Sequence, residues 1–239
     1  MMRLFSRWIV VFSLAVSLSP LSTLAATGKS YPVQWTHQLK LQSIKDIPNL
    51  LASPTYVNTQ VKFITDNRAQ HAIAKTCNDY FHLTKKGYVA ETNIELSAES
   101  WFIANCDPLI YLLHAKPAKF SQVRGFNIQK EYGLLPAKLI FPNMGSDPQP
   151  RGTLQKAFPH ARVVATTPTS ITLDSKKAGM KTSISVLAWG DFNGSGYDQM
   201  LVFIANYALQ GTYHSYTPYV LTRTTAKAPL TVVKLPGQK

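Results

Sequence analysis

Trp189-Gly-Asp-Phe-Asn-Gly-Ser-Gly-Tyr-Asp-Gln-Met-Leu-Val-Phe203 is a polar turn, punctuated by glycine, that runs without a break into an apolar strand. Asp191, Asn193, Ser195 and Gln199 stand at positions one, three, five and nine of the turn, with Tyr197 at position seven. In that spacing four side-chain oxygens and the Tyr197 carbonyl can converge on one hard cation. Gly194 and Gly196 supply the backbone freedom such a wrap requires. The same polar side chains can instead bond backbone amides, as Asx-turns do, and close an ordinary β-hairpin. Before the turn, residues 182–189 alternate Ile184, Val186 and Ala188 against Ser183 and Ser185; after it, residues 200–205 are continuously apolar. Alternation predicts a strand with one wet face, and the apolar run predicts a central strand.

Moving outward, residues 162–166 and 170–173 flank the turn at Pro168-Thr169, and residues 219–222 and 230–234 offer two further strands. Five or six short strands in sequence, joined by tight turns, predict an antiparallel meander with the Asp191 loop between two neighbours. Residues 190–202, Gly-Asp-Phe-Asn-Gly-Ser-Gly-Tyr-Asp-Gln-Met-Leu-Val, resemble the calcium-loop core of the FG-GAP/VCBS repeat family, found in β-propellers and in bacterial exported proteins. The resemblance implies a β unit stabilised by calcium and is confined to residues 189–203. No second copy of the unit follows, so a propeller is not expected. The family usually carries Asp at the fifth and ninth loop positions, where this chain has Ser195 and Gln199. Asp191 is then the only anionic side chain among the expected ligands, and calcium affinity follows ligand charge, so binding should be weak. Asp198, at position eight, is expected to point outward.

At the other end of the chain, Arg3 and Arg7 precede an apolar run from Trp8 through Leu18, followed by Ser-Pro-Leu-Ser-Thr-Leu-Ala-Ala. A basic head, a short apolar middle and a small-residue end describe a cleavable export signal over residues 1–26, cut after Ala25 or Ala26. The apolar run is short for a membrane anchor, and no later segment approaches the twenty apolar residues of a transmembrane helix. The expected location is periplasmic or secreted. Loss of two arginines leaves 23 bases against 12 acids, a charge of +11. Such an excess favours an acidic partner, here an envelope protein or a polyanionic surface component. The bases are scattered, with pairs only at Lys85-Lys86 and Lys176-Lys177, so no nucleic-acid groove is expected. Cys77 and Cys106 are the only cysteines. In an oxidising compartment they predict a disulfide worth roughly 3 kcal/mol by restriction of the unfolded chain.

Residues 27–59 are loop-like, interrupted by Pro32, Pro48 and Pro54. A helix is expected from Asp66 or Asn67 to Leu83, with Ala69, Ile73, Cys77, Tyr80 and Phe81 on one face and Lys85-Lys86-Gly87 ending it. Residues 88–96 read as extended. A second helix is expected from Ser97, carrying Trp101, Phe102, Leu109, Leu112 and Leu113 inward, with Pro108 forcing a kink or a break after Asp107. Turns dominate residues 115–155, and the proline-rich run of residues 141–150 reads as the junction between halves. The expected fold is α+β: a helical N-terminal half, residues 27–150, packed on a C-terminal antiparallel β-meander, residues 151–239.

No His-Glu-x-x-His, nucleophile elbow or phosphate-cradling loop occurs, which weakens the case for an enzyme without closing it. Residues 206–219 instead gather Tyr207, Tyr213, His214, Tyr216 and Tyr219 around a glycine turn, with Arg223 beyond. Aromatic rings with polar tips serve recognition surfaces and equally pack across strands. The sequence therefore points to an exported, non-catalytic binding protein of inhibitor, immunity or adaptor type. An envelope hydrolase assembled from scattered residues and a calcium-stabilised structural module are the alternatives.

Overall fold

A computed structural model of the chain describes residues 30–65, 69–141 and 149–235. The expected export signal, Asp66, Asn67 and most of the proline-rich run lie outside the described residues. In chain order the strands are β1 (Gln34–Trp35), β2 (Val61–Ile64), β3 (His71–Ala74), β4 (Val89–Ala90), β5 (Arg162–Thr167), β6 (Ser170–Ser175), β7 (Met180–Gly190), β8 (Gln199–Ala208), β9 (His214–Thr222) and β10 (Thr231–Val232). The helices are α1 (Ile47–Ala52), α2 (Pro54–Val57), α3 (Cys77–Lys85), α4 (Asn93–His114), α5 (Ile128–Glu131), α6 (Ala137–Ile140) and α7 (Leu154–Ala157).

The architecture is α+β, with β5 to β10 forming an antiparallel meander in the order β10-β9-β8-β7-β6-β5. The Asp191 loop joins the two central strands, β7 and β8. β7 is long enough for two partners on one side. Its first half pairs with β6, while Ala188 and Trp189 pair with β1 from the start of the described chain. Between these partners the β7–β8 register shifts, so that Leu187 is an extra residue between Val186 and Ala188. A bulge leaves ladder groups without partners. Thr36 meets them: its N–H donates to the Leu187 carbonyl at 2.8 Å and its hydroxyl to the Val186 carbonyl at 3.1 Å.

Each face of the sheet carries its own core. On one face Leu187, Ala188, Leu201 and Val220 join Phe63, Phe102, Leu109 and Leu112 of β2 and α4. On the other, Ile171, Leu173, Ile184, Val202 and Ile204 meet Ile128, Leu135, Ile140, Phe141 and Leu154, so residues 123–141 and Leu154 cover the second face. Polar groups tie that layer to the sheet. Buried Thr182 shares its one hydroxyl proton between the Ile140 carbonyl and Asn206 Oδ1, and the Asn206 NH2 donates to the Leu139 carbonyl at 3.3 Å. These bonds take up carbonyls at the end of α6 that helical pairing leaves open.

The N-terminal half departs from the helical expectation. Residues 71–74 are not helix but β3, the edge of a three-stranded sheet in the order β3-β2-β4. His71-Ala-Ile-Ala suits either state, and antiparallel pairing of Val61 with Ala74 through Ile64 with His71 decides for the strand. The helix begins instead at Cys77, where Thr76 accepts from the Asp79 N–H at 3.1 Å and Asp79 accepts from the Thr76 N–H at 3.0 Å. That reciprocal capping box sets the start. α4 starts at Asn93 rather than Ser97, capped by Thr92, and continues through Pro108 without a break. Phe102, Leu109 and Leu112 are buried, whereas Trp101 is half exposed and donates its indole N–H to the Val57 carbonyl at 2.8 Å. The Cys77–Cys106 disulfide is formed and joins the first turn of α3 to the middle of α4.

Candidate functional site

The loop between β7 and β8 is closed by its own side chains. Gly194 and Gly196 both adopt positive φ, at 77° and 82°, and turn successive amides inward. The buried carboxylate of Asp191 accepts the Ser195 N–H at 3.0 Å and the Gly196 N–H at 2.7 Å. Asn193 Oδ1 accepts the same Ser195 N–H at 3.1 Å. Gln199, only 2 % exposed, accepts the Phe192 N–H on Oε1 at 3.0 Å. Its Nε2 donates to Asn193 Oδ1 at 2.5 Å and to Ser195 Oγ at 3.1 Å. Because the Phe192 amide can only donate, the terminal atom it meets is the Gln199 oxygen, and the amide nitrogen faces the other side chains.

Two of the expected calcium ligands, Asn193 and Ser195, are therefore gathered around a hydrogen-bond donor. Oxygens of Asn193 and Ser195 meet the Gln199 NH2, and both carboxylate oxygens of Asp191 accept backbone amides. For this set to fit a cation, Gln199 would have to turn Oε1 inward and leave the Phe192 N–H unpaired in a buried site. At loop position seven, Tyr197, the residue expected to offer its carbonyl, has its ring against Phe120, with centroids 5.4 Å apart.

Asp198 does not point outward: it is 1 % exposed. Arg124 Nε meets its carboxylate at 2.5 Å, a second guanidinium nitrogen lies at 3.2 Å, and the Ser121 hydroxyl donates at 2.9 Å. A buried carboxylate needs such a partner. Backbone bonds extend the anchorage: Asp191 and Lys116 exchange N–H···O bonds at 2.8 and 2.9 Å, the Lys119 N–H donates to the Gly196 carbonyl at 2.8 Å, and the Asp198 N–H donates to the Phe120 carbonyl at 2.7 Å. Residues 116–124 thus form the outer wall of the loop.

The tyrosine-rich segment divides between the two faces of the sheet. Tyr207, His214 and Tyr216 lie together with Phe203: Tyr216 sits 6.1 Å from Phe203, 5.8 Å from Tyr207 and 5.4 Å from His214, centroid to centroid. Directly paired residues share a face. One row therefore runs Arg162, Asp174, Lys181, Tyr207, His214; a second runs Thr172, Ser183, Ala205, Tyr216; a third runs Ser170, Ser185, Phe203, Pro218. The first core reaches this face at Phe203. Beyond it the aromatics and hydroxyls are half exposed, and Lys181 is exposed. Burial, with Tyr207 alongside, pushes the Tyr216 hydroxyl up to about 12.

Tyr219 packs instead against the second core, and Tyr213 stands in the β8–β9 turn. Arg223, 5 % exposed, is held by Glu131 at 2.9 Å and the Gln122 carbonyl at 2.7 Å. Neither Tyr219 nor Arg223 belongs to the aromatic group. Phe203, Phe120 and Arg124 did not stand out in the sequence. Phe203 could have been found by its place four residues before Tyr207, on the same face of one strand, but nothing local separates Phe120 or Arg124 from the turns around them.

Among the described residues no group of three or more His, Cys, Asp and Glu side chains is placed to hold a metal ion. The fold and the loop define the class: an α+β protein on an antiparallel meander whose central turn is closed by side-chain hydrogen bonds. Compared with protein-family models, curated proteins and solved structures, the chain matches none of them.

Proposed function

We propose that this is an exported, periplasmic or secreted, non-catalytic binding protein of inhibitor, immunity or adaptor type that holds an acidic envelope partner on the open face of its sheet. The observation that carries the reading is the cluster of Phe203, Tyr207, His214 and Tyr216 on a half-exposed face beside Lys181. Rigid aromatics bring large contact area at low entropic cost, and anchors of this kind dominate binding energy at interfaces. The basic balance of the chain favours an acidic partner. Sharing of the first core between α4 and the meander supports the view that the N-terminal half packs on the sheet as its scaffold. The residue pattern of 1–26 supports export, and the mature N-terminus is expected at Ala26 or Thr27. Calcium stabilisation is the weaker reading, because the Gln199 amide donates toward the groups that would ligate the ion.

The test is co-sedimentation of the purified, oxidised chain with isolated bacterial envelopes. Binding is expected at low salt and is expected to fall as salt screens the charges. A Tyr207→Ala/Tyr216→Ala double variant should lose about tenfold or more in affinity while keeping its cooperative melt. Undiminished binding by that variant would sink the assignment of this face.

A further inference from the structure

A candidate site distinct from the open sheet face lies at the outer side of the Asp191 loop. A cleft of about 700 Å³ opens there between the loop, residues 120–122 and the end of β9, with Phe120, Tyr197, Gln122, Thr222 and Thr224 among its walls. That volume falls within the range of small-ligand sites. Phe120 and Tyr197 are 58 % and 54 % exposed and pack against each other at a tilt of 35°, with centroids 5.4 Å apart, so that each leaves much of its ring open to the cleft. Their positions are fixed from behind. The Phe120 N–H donates to the Gly196 carbonyl at 3.2 Å, the Asp198 N–H returns to the Phe120 carbonyl, and the buried Asp198–Arg124 pair locks the base. An exposed aromatic pair on so rigid a base is preorganised to receive a flat apolar surface.

The rest of the lining selects the chemistry. The Gln122 amide, the Thr222 and Thr224 hydroxyls and the Tyr197 hydroxyl make no side-chain hydrogen bond to other described residues, so their donors and acceptors remain available to a ligand. Among the described lining residues the one charged group is Arg223, and its guanidinium is spent on Glu131 and the Gln122 carbonyl while lying over Phe126. Those lining residues offer no carboxylate to a cationic ligand and no free guanidinium to an anionic one; exposed Lys119 runs along Gly196 outside that lining. A ligand that stacks on aromatic faces and needs many neutral hydrogen bonds is a sugar. The C–H face of a pyranose ring is weakly positive and suits the negative face of an aromatic ring, while its ring of hydroxyls matches amide and hydroxyl side chains. We propose that this cleft binds a neutral saccharide segment, stacked on Phe120 and Tyr197 and held by Gln122, Thr222 and Thr224. The proposal does not depend on the sheet face.

The test is titration calorimetry of the purified, oxidised chain with three probes: a glucose tetramer, an N-acetylglucosamine tetramer and, as the charged comparison, oligogalacturonate. At least one neutral tetramer is expected to bind. Phe120→Ala and Tyr197→Ala should each weaken it by about tenfold or more, and Phe120→Trp should retain it, since it keeps the stacking surface. Tyr207→Ala/Tyr216→Ala should leave saccharide binding unchanged. The fold is checked by melting each variant, and a variant that melts well below the parent is replaced by Thr224→Ala, for which a smaller loss is expected. Failure of both neutral tetramers to bind at about 10 mM, binding indifferent to Phe120 and Tyr197, or salt-sensitive binding of oligogalacturonate alone would each overturn the proposal.

Discussion

At Gln199 the side chain lies wholly inside the loop, and its two terminal atoms have opposite duties: oxygen toward the Phe192 N–H, nitrogen toward Asn193 and Ser195. A carboxylate of the same size could keep the first bond and accept from the Ser195 hydroxyl, but it would place oxygen against the Asn193 Oδ1 oxygen. Gln199→Glu should therefore lower stability by about 1–3 kcal/mol in the presence of chelator. Millimolar calcium should return part of that loss, because a ligand that binds only the folded state stabilises it by mass action. The parent chain is expected to melt at the same temperature with and without calcium. Thermal melts of both proteins check this, and a calcium-dependent rise in the parent would show that Gln199 does turn. The convergence of Asp191, Asn193 and Ser195 was readable in the sequence because turn chemistry acts over a few residues. The inward turn of Asp198 was not, since its partner Arg124 is 74 residues away.

Within α4, burial pushes the Asp107 carboxyl up to about 7, with the nearby Glu99 adding to it. Burial raises Glu99 as well. The folded state thus keeps this proton to a higher pH than the unfolded chain, whose carboxyl titrates near 3.9. The sign follows: the contribution to stability is full below about pH 4 and is lost as pH rises through about 7. Asp107→Asn removes the titration, so its melting temperature should change less than the parent's between pH 5 and pH 8. At pH 8 the variant should be more stable by on the order of 2 kcal/mol, a rise of about 4–8 °C in a chain of this length. Equal slopes for the two proteins would count against a partly buried, protonated Asp107. Element type was legible where periodicity was long, as in β7 and β8. It misled at residues 71–74, where four residues suit helix or strand and the β2 edge makes the choice.

For the whole molecule the disulfide is the clearest lever on stability. Cys77→Ser/Cys106→Ser frees a loop of 29 residues in the unfolded chain. The loss should be about 3 kcal/mol, which corresponds to a melting temperature lower by about 6–12 °C, read by calorimetry under oxidising conditions. A fall of that size tests the cross-link as a global restraint, and no change would mean that the unfolded chain is not limited by it. What the sequence by itself determined is local: the glycine-punctuated turn, the alternation on either side of it, the order of the meander strands and the cysteine pair. Each follows from neighbouring residues or from a count of two. Tertiary structure alone decided the rest. It set β1 beside the far half of β7, where the Thr36 hydroxyl reaches a carbonyl 150 residues away, and it drew residues 123–141 and Leu154 across the second face of the sheet. It also divided the tyrosines between two faces and built the Phe120–Tyr197 cleft against the loop. The physical reason is the same in every case: these contacts satisfy buried carbonyls, bury apolar faces or pair buried charges between segments far apart in the chain, and no short window of sequence contains both partners.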